Sequence, residues 1–323
     1  MKKLKMKRSV KKILFISIIL ILFLSIGIYS GIKIYKQKEY EKTYEFKLLE
    51  VGYSLDEVNI LLDKYKNEEI EYILKNDLNK NYLDILNQNY FIYDYFYDYL
   101  EYLKENLDKP LRNVIEIVNT KRNNEYYTNT TLTDISKKEL MLVNKYYYLD
   151  ESYEPENLVT IPQTYSWGSL GTHKATEDTY NAYLEMWEDA HEAGHYLMVS
   201  SSYRTYKKQV AVYKDYEDLR GTVYADTIAA RPGYSEHQTG YTLDIFEKNN
   251  SRQQTFHESE AYFWLKDNAH NYGFILRYPE DKEDITGYSF ESWHYRYVGV
   301  EVATYNYQNN ITFDEYYAYF LNN

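Results

Sequence analysis

The sequence predicts an α+β domain behind a single membrane-spanning helix and a small helical region. Three observations carry that expectation. An uncharged run of twenty residues follows a basic N-terminus, a proline-free stretch of short amphipathic segments comes next, and from about Lys138 short apolar runs alternate loosely with helical patterns.

Seven basic side chains (Lys2, Lys3, Lys5, Lys7, Arg8, Lys11 and Lys12) crowd residues 1–12, and Ile13 to Ile32 then carry no charge. At about 1.5 Å per helical residue, twenty residues span about 30 Å, the thickness of a bilayer's hydrocarbon core. A cleaved signal has a shorter apolar core and an A-x-A-like site, for which Ile28-Tyr29-Ser30 is a poor candidate. An uncleaved anchor is therefore expected over 13–32. By the positive-inside rule, the 1–12 segment is cytoplasmic and the chain beyond about residue 38 lies outside the cell.

The 323 residues suffice for one sizeable domain and a second element. Hydrophobic residues make up 44%, and many of them are among the 42 tyrosines, whose hydroxyls need partners or water when packed. Broad, half-buried aromatic surfaces follow. The chain has no cysteine, so disulfides and a lipid-modified cysteine are excluded and any metal must be held by His, Asp or Glu; the search narrows to seven histidines. Residues 1–38 hold ten of the 37 basic residues and none of the 49 acids, so the remainder carries 27 against 49, a net charge of −22. That balance argues against nucleic acid as a partner.

Between Lys38 and Lys109 there is no proline and one glycine. Ser54-Leu-Asp-Glu57 reads as a capping box, Asn67 with Glu68 and Glu69 as a second helix start, and Phe91 to Leu103 as a helix packed on its neighbours. Residues 39–135 are read as a helical stalk or accessory region, with docking or wall binding as open alternatives. The domain at 138–323 begins with Leu140 to Leu149 as a strand, followed by a loop punctuated by Pro155 and Pro162. A helix from Thr176 to His191 is expected to set Tyr180, Leu184, Trp187 and His191 on one face, and Gly194 is a natural stop. Tyr196 to Val199 reads as a buried strand, and a last helix begins at about Asp314.

The strongest chemical signal is Ser235-Glu-His237-Gln-Thr-Gly240-Tyr-Thr-Leu-Asp244, paired with Glu291-Ser-Trp-His294 some fifty residues later. A His/Asp/His set leaves the fourth zinc position open, as catalytic sites require. A carboxylate three residues before a ligand can lie beside the water there. Zinc would acidify that water and polarise a scissile carbonyl while the carboxylate carries the proton to the leaving amine.

These segments resemble the VanY-type D-alanyl-D-alanine carboxypeptidases of the M15 family of zinc peptidases, whose pattern is S-x-H-x-x-G-x-A-x-D followed by E-x-W-H. Ser235, His237, Gly240, Asp244, Glu291, Trp293 and His294 match, and Thr242 stands where the family usually has Ala. Ser201-Ser-Tyr-Arg204-Thr-Tyr-Lys-Lys-Gln209 matches S-G-Y-R-S-Y-x-x-Q, and Arg231-Pro-Gly-Tyr-Ser235 leads into the first ligand. Leu142-Val-Asn-Lys145 and Pro155-Glu-Asn-Leu158 resemble the segment that opens the family's catalytic domain. The resemblance covers about 138–305. It implies a small antiparallel sheet with flanking helices, the hedgehog/DD-peptidase-like zinc fold. It also implies Zn2+ held by His237, Asp244 and His294, Glu291 as general base then acid, and Arg204 for the oxyanion or a substrate carboxylate. Gln209, Ser235 and Tyr203 become candidate substrate contacts, and Trp293 a packing residue.

The implied activity is release of the C-terminal D-Ala from peptidoglycan stem peptides. Cleavage of the L,D bond of tetrapeptide stems and a non-catalytic wall-binding module with a vestigial zinc site are the alternatives. One motif competes for the metal. His191-Glu-Ala-Gly-His195 satisfies H-E-x-x-H, the zincin signature. Against it, Gly194 and the following Tyr-Leu-Met-Val imply that the helix is already ending, and position 198 is Met rather than the metzincin glycine.

Overall fold

A computed structural model describes residues 8–76, 81–169, 172–250 and 253–322. Lys2, Lys3, Lys5 and Lys7 of the basic segment, and Asn323, lie outside the described residues. The chain divides into two compact units, 1–91 and 92–323.

The first unit opens with α1 (Arg8–Tyr40), whose stretch Lys12–Tyr40 is long and apolar enough to cross a membrane. Four short helices follow: α2 (Tyr44–Val51), α3 (Leu55–Lys64), α4 (Asn67–Lys75) and α5 (Asn81–Leu86). The capping box forms as read, with Ser54 N donating to Glu57 Oε2 at 2.8 Å and Glu57 N to Ser54 Oγ at 3.4 Å. Leu48, Val58, Leu61, Ile70 and Ile73 are buried between these helices.

The second unit begins with α6 (Phe96–Glu105) and α7 (Leu111–Asn119), ahead of the boundary near 138 read from sequence. Lys109 Nζ reaches Asp284 Oδ2 at 3.2 Å and Arg122 Nε donates to Asp284 O at 3.0 Å, which ties this segment to the chain around Asp284. Two-residue strands β1 (Thr131–Leu132) and β2 (Tyr147–Tyr148) pair in parallel. The strand expected over 140–149 thus shrinks to β2, because Asn144 Oδ1 accepts from the backbone N–H of both Tyr146 and Tyr147 and turns the chain. β3 (Leu158–Thr160) and β4 (Lys174–Thr176) form a second small ladder.

Next come α8 (Glu177–Glu192), β5 (Leu197–Ser201), α9 (Tyr206–Arg220), α10 (Thr222–Ile228), β6 (Thr242–Glu247), α11 (Gln253–Phe256), α12 (Glu260–Asn268), β7 (Phe274–Leu276), α13 (Glu283–Thr286), β8 (His294–Tyr297), α14 (Val300–Asn309) and α15 (Phe313–Tyr316). The face that α8 buries most deeply is Thr179, Tyr183, Met186 and Ala190, one residue round from the expected stripe. Tyr180 and Trp187 pack at its edge, and His191 is exposed. β5 likewise starts one residue late, with Tyr196 left 46% exposed.

The main sheet is antiparallel with strand order β5-β6-β8-β7. Alternation along β6 and β8 sends Leu243, Ile245 and Tyr295, all fully buried, into a core shared with Tyr183, Met186, Leu197, Val199 and Leu265. The residues between them, Asp244, His294 and Arg296, project from the other face. Truncating one of these core side chains, for instance Leu243→Ala, costs about 2–5 kcal/mol.

Gly240 joins the turn before β6 to the strand with φ +74°, and a Cβ there would meet Pro155 Cγ at 2.9 Å and Thr176 Cγ2 at 3.1 Å. Both the left-handed backbone and the close approach require glycine. Gly240→Ala is expected to cost about 2–3 kcal/mol in stability. Chemical unfolding of the full-length chain in detergent measures it, and an unchanged midpoint would show that the loop adjusts freely.

Candidate active site

Antiparallel pairing of β6 with β8 sets Asp244 directly opposite His294, and a register shift between Val199 and Ser201 on β5 brings Ser201 opposite Asp244 as well. His237 comes from the short helical turn Glu236–Thr239 that Gly240 ends. That turn is pinned from outside, since Gln238 Nε2 donates to Asp150 O and Tyr153 O, and Arg204 N donates to His237 O.

The three side chains converge. His237 Nε2 lies 3.5 Å from Asp244 Oδ2, and His294 Nδ1 lies 3.4 Å from Asp244 Oδ1. They are the one group of potential metal donors found among the described residues, with all three donor atoms within 4.8 Å of one another. Tetrahedral zinc with bonds of about 2.0–2.1 Å separates its ligand atoms by about 3.3–3.4 Å, so the spacing fits. The outer nitrogens fix the tautomers. His237 Nδ1 faces Ser202 O at 2.9 Å, an atom that can only accept, so it carries the proton; His294 Nε2 faces Glu236 Oε2 at 3.4 Å. The inner nitrogens then present lone pairs to a carboxylate, an arrangement that a cation reconciles.

The electrostatics agree with that reading. Burial pushes the His237 imidazole down, favouring the neutral form that binds metal. Burial also opposes charge on His294, but the carboxylates of Asp244, Glu236 and Glu291 around it pull it well up. A zinc ion held there would supply that positive charge in place of a proton. Glu291 Oε2 stands 3.3 Å from the metal-facing Nδ1 of His294, and burial raises its carboxyl above the ordinary value against the opposing effect of His294.

A cavity of about 320 Å³ opens over these groups. Arg204 and Gln209 line it, with Arg204 Nη1 donating to Gln209 Oε1 at 2.8 Å and Nη2 to Ser201 Oγ at 2.9 Å. Gln209 Nε2 donates to Ala230 O, so both ends of that amide are engaged within the protein. Ser235 also lines the cavity. Tyr203 does not: it is the neighbour of an inward-facing Arg204, and its hydroxyl lies near Glu154 and Tyr153. Trp293 stacks on Phe246 with ring centroids 6.0 Å apart, a packing role. Thr242 is fully buried on β6, opposite Arg296.

The competing histidine pair is separated by the fold. α8 ends at Glu192, Gly194 takes φ +96°, and His195 N caps back onto Ala190 O. His191 stacks on Trp187 with centroids 4.7 Å apart, and His195 turns toward Glu247.

Comparison with known proteins matches residues 172–300 to the VanY family, described as D-alanyl-D-alanine carboxypeptidase. The bifunctional D-Ala-D-Ala dipeptidase and D-Ala-D-Ala carboxypeptidase VanXYC of Enterococcus gallinarum is 32% identical over 192 residues, 56% of this chain and 94% of that protein. The chain belongs to the VanY family. A D-alanyl-D-alanine carboxypeptidase of Enterococcus faecalis is 42% identical over 41% of this chain and 51% of its own length, so the match spans about half of that relative. Among solved structures, the LdcB LD-carboxypeptidase is 35% identical with a TM-score of 0.56, covering 59% of this chain and 91% of that one. The family match contains all three donors and Glu291.

Sequence reasoning missed Glu236, Arg277 and Arg296, whose side chains are wholly buried beside the donors. Arg296 carried a readable signal, because two residues past His294 on a strand it must share that ligand's face. Arg277 carried none. Zinc binding tests the donor set: His294→Ala is expected to abolish stoichiometric zinc in the purified full-length chain, and His195→Ala to retain it. Metal analysis giving the reverse pattern would restore the H-E-x-x-H reading.

Proposed function

We propose that the chain is a membrane-anchored zinc carboxypeptidase that removes the C-terminal D-Ala from peptidoglycan stem peptides. In this reading α1 is an uncleaved single-pass anchor and the domain from about 138 works outside the cytoplasmic membrane. The observation that carries it is the His237/Asp244/His294 set, with both histidines buried and Glu291 against it, lining a cavity near the lower end of ligand-pocket size. A cavity that small suits the end of a short peptide.

When bound, zinc supplies Lewis acidity, polarising the scissile carbonyl and lowering the pKa of water to about 7. Glu291 takes the proton released as water attacks the carbonyl carbon, then delivers it to the amine of the departing D-Ala as the peptide C–N bond breaks. A carboxyl raised by burial suits both halves of that transfer. Arg204, buried and held by Gln209 and Ser201, offers its remaining donors to the oxyanion or to the substrate's terminal carboxylate. Gln209 acts by positioning Arg204, and Ser235 is placed to meet the terminal residue.

The likeness to the LdcB LD-carboxypeptidase favours a second reading, cleavage of the L,D bond of tetrapeptide stems by the same residues. Mass spectrometry of muropeptides incubated with the full-length chain in detergent separates the two. Loss of one D-Ala from pentapeptides supports the first reading, loss from tetrapeptides the second, and no loss from either rejects both. Glu291→Gln is expected to lower turnover about 10²–10⁴-fold while zinc content stays stoichiometric, since it removes the proton carrier and no ligand. Full activity in that variant would remove Glu291 from the mechanism.

A further inference from the structure

Behind the donors lies a charge network that no step of hydrolysis uses. Glu236 Oε1 accepts from Arg277 Nε at 2.8 Å and from Arg296 Nη1 at 3.1 Å, while its Oε2 faces His294 Nε2. Arg277 Nη1 continues to Asp314 Oδ2 at 2.5 Å, and Asp314 Oδ1 accepts from Asn144 Nδ2 at 2.8 Å. Arg296 Nη2 is anchored on Glu139 O and Met141 O. Two arginines face two carboxylates, so the set is neutral, and losing one member leaves an uncompensated buried charge.

We propose that Asp314, Arg277 and Glu236 form a positioning relay for the zinc ligand His294, through which the C-terminal segment Thr312–Leu321 sets the affinity of a metal site it does not touch. His294 can direct Nδ1 at the metal only while Nε2 keeps its proton on a fixed acceptor. Glu236 is that acceptor, and its rotatable side chain is immobilised by two guanidinium groups. Arg277 is held in turn at its far nitrogen by Asp314. Asp314 sits in the first turn of α15, which is locked by a capping box, with Thr312 N donating to Glu315 Oε2 at 2.7 Å and Glu315 N to Thr312 Oγ1 at 3.2 Å. Lys282 Nζ reaches the same Glu315 carboxylate at 3.3 Å.

The inference rests on the zinc reading of the site but not on which peptide bond is cut. The test strips the full-length chain of metal in detergent and titrates zinc against a chelating competitor, with the visible spectrum of the Co(II)-substituted protein as second readout. Asp314→Asn keeps the side-chain volume and leaves Glu236 and both arginines in place. It is expected to weaken zinc binding about tenfold and to shift the Co(II) bands, Glu236→Gln to weaken it about 10–100-fold, and the double variant to match Glu236→Gln. A lower thermal midpoint for Asp314→Asn with wild-type zinc affinity and an unshifted Co(II) spectrum would reduce the network to a structural brace and overturn the proposal. If Glu236→Gln does not fold, the Asp314→Asn result decides alone. A wild-type chain that binds no zinc would overturn the metal reading itself, a distinguishable outcome.

Discussion

The site depends on one pairing, that of β6 with β8. Their register places Asp244 opposite His294 and Thr242 opposite Arg296, while Leu243 and Tyr295 between them point into the core. A slip of one residue in either strand would turn its core side chain into the site and its ligand into the core. The burial of Leu243, Ile245 and Tyr295 against α8 and α12 therefore does more than stabilise the domain: it fixes which side chains can meet at the metal. The third donor follows from the same strand, since the turn carrying His237 runs straight into β6 through Gly240.

Three carboxylates crowd around His294, and the fold gives each a different fate. Glu236 is buried, which alone would raise its pKa, yet Arg277 and Arg296 hold it well below the carboxylate range. Asp244 is likewise held low against its burial by the two histidines, and remains a charged donor for the metal. Glu291 has weaker compensation, so burial prevails and its carboxyl is raised. Environments that push like groups apart let one functional group supply an anion held by arginines, a potential metal donor and a carboxyl suited to carrying a proton.

Much of this was readable in the sequence, and the division is physical. Motifs whose members lie within ten residues are legible one by one, so Ser235–Asp244 and Glu291–His294 stand out locally, while joining the two across some fifty residues rests on the resemblance to the VanY type. The capping box at Ser54 and the stop at Gly194 are local for the same reason. The strand over 140–149 was overestimated because a single Asn144 side chain, bonding two backbone N–H groups, competes with the ladder. The stripe of Tyr180, Leu184, Trp187 and His191 lies one residue round from the most buried face of α8, and Tyr180 and Trp187 flank that face. Tyr203 shares a motif with Arg204 but does not line the cavity, since neighbours in an extended segment face opposite ways. The partnership of Glu236 with Arg277 and Asp314 spans intervals of 41 and 37 residues, and no local pattern announces it.

The metal centre by itself cannot decide between D,D and L,D cleavage, because both reactions present the same scissile amide to the same donors. The difference lies one residue further into the peptide, in the configuration at the penultimate carbon, and must be read by whatever wall that residue's side chain meets. The cavity is lined by Thr227 and Ile228 at the end of α10 with Ala229 and Ala230 just after it, and by Tyr278 and Tyr288. The first group is fastened at both ends. Gln209 holds Ala230 O at 2.7 Å, Lys145 Nζ holds Asp226 O at 2.9 Å, and Arg231 clamps the Asp226 carboxylate through Nε at 2.9 Å and Nη2 at 2.8 Å. A wall held from three sides cannot adapt to either configuration at low cost. In the proposed reading, stereochemical preference follows the shape of this segment, which Gln209 couples to Arg204.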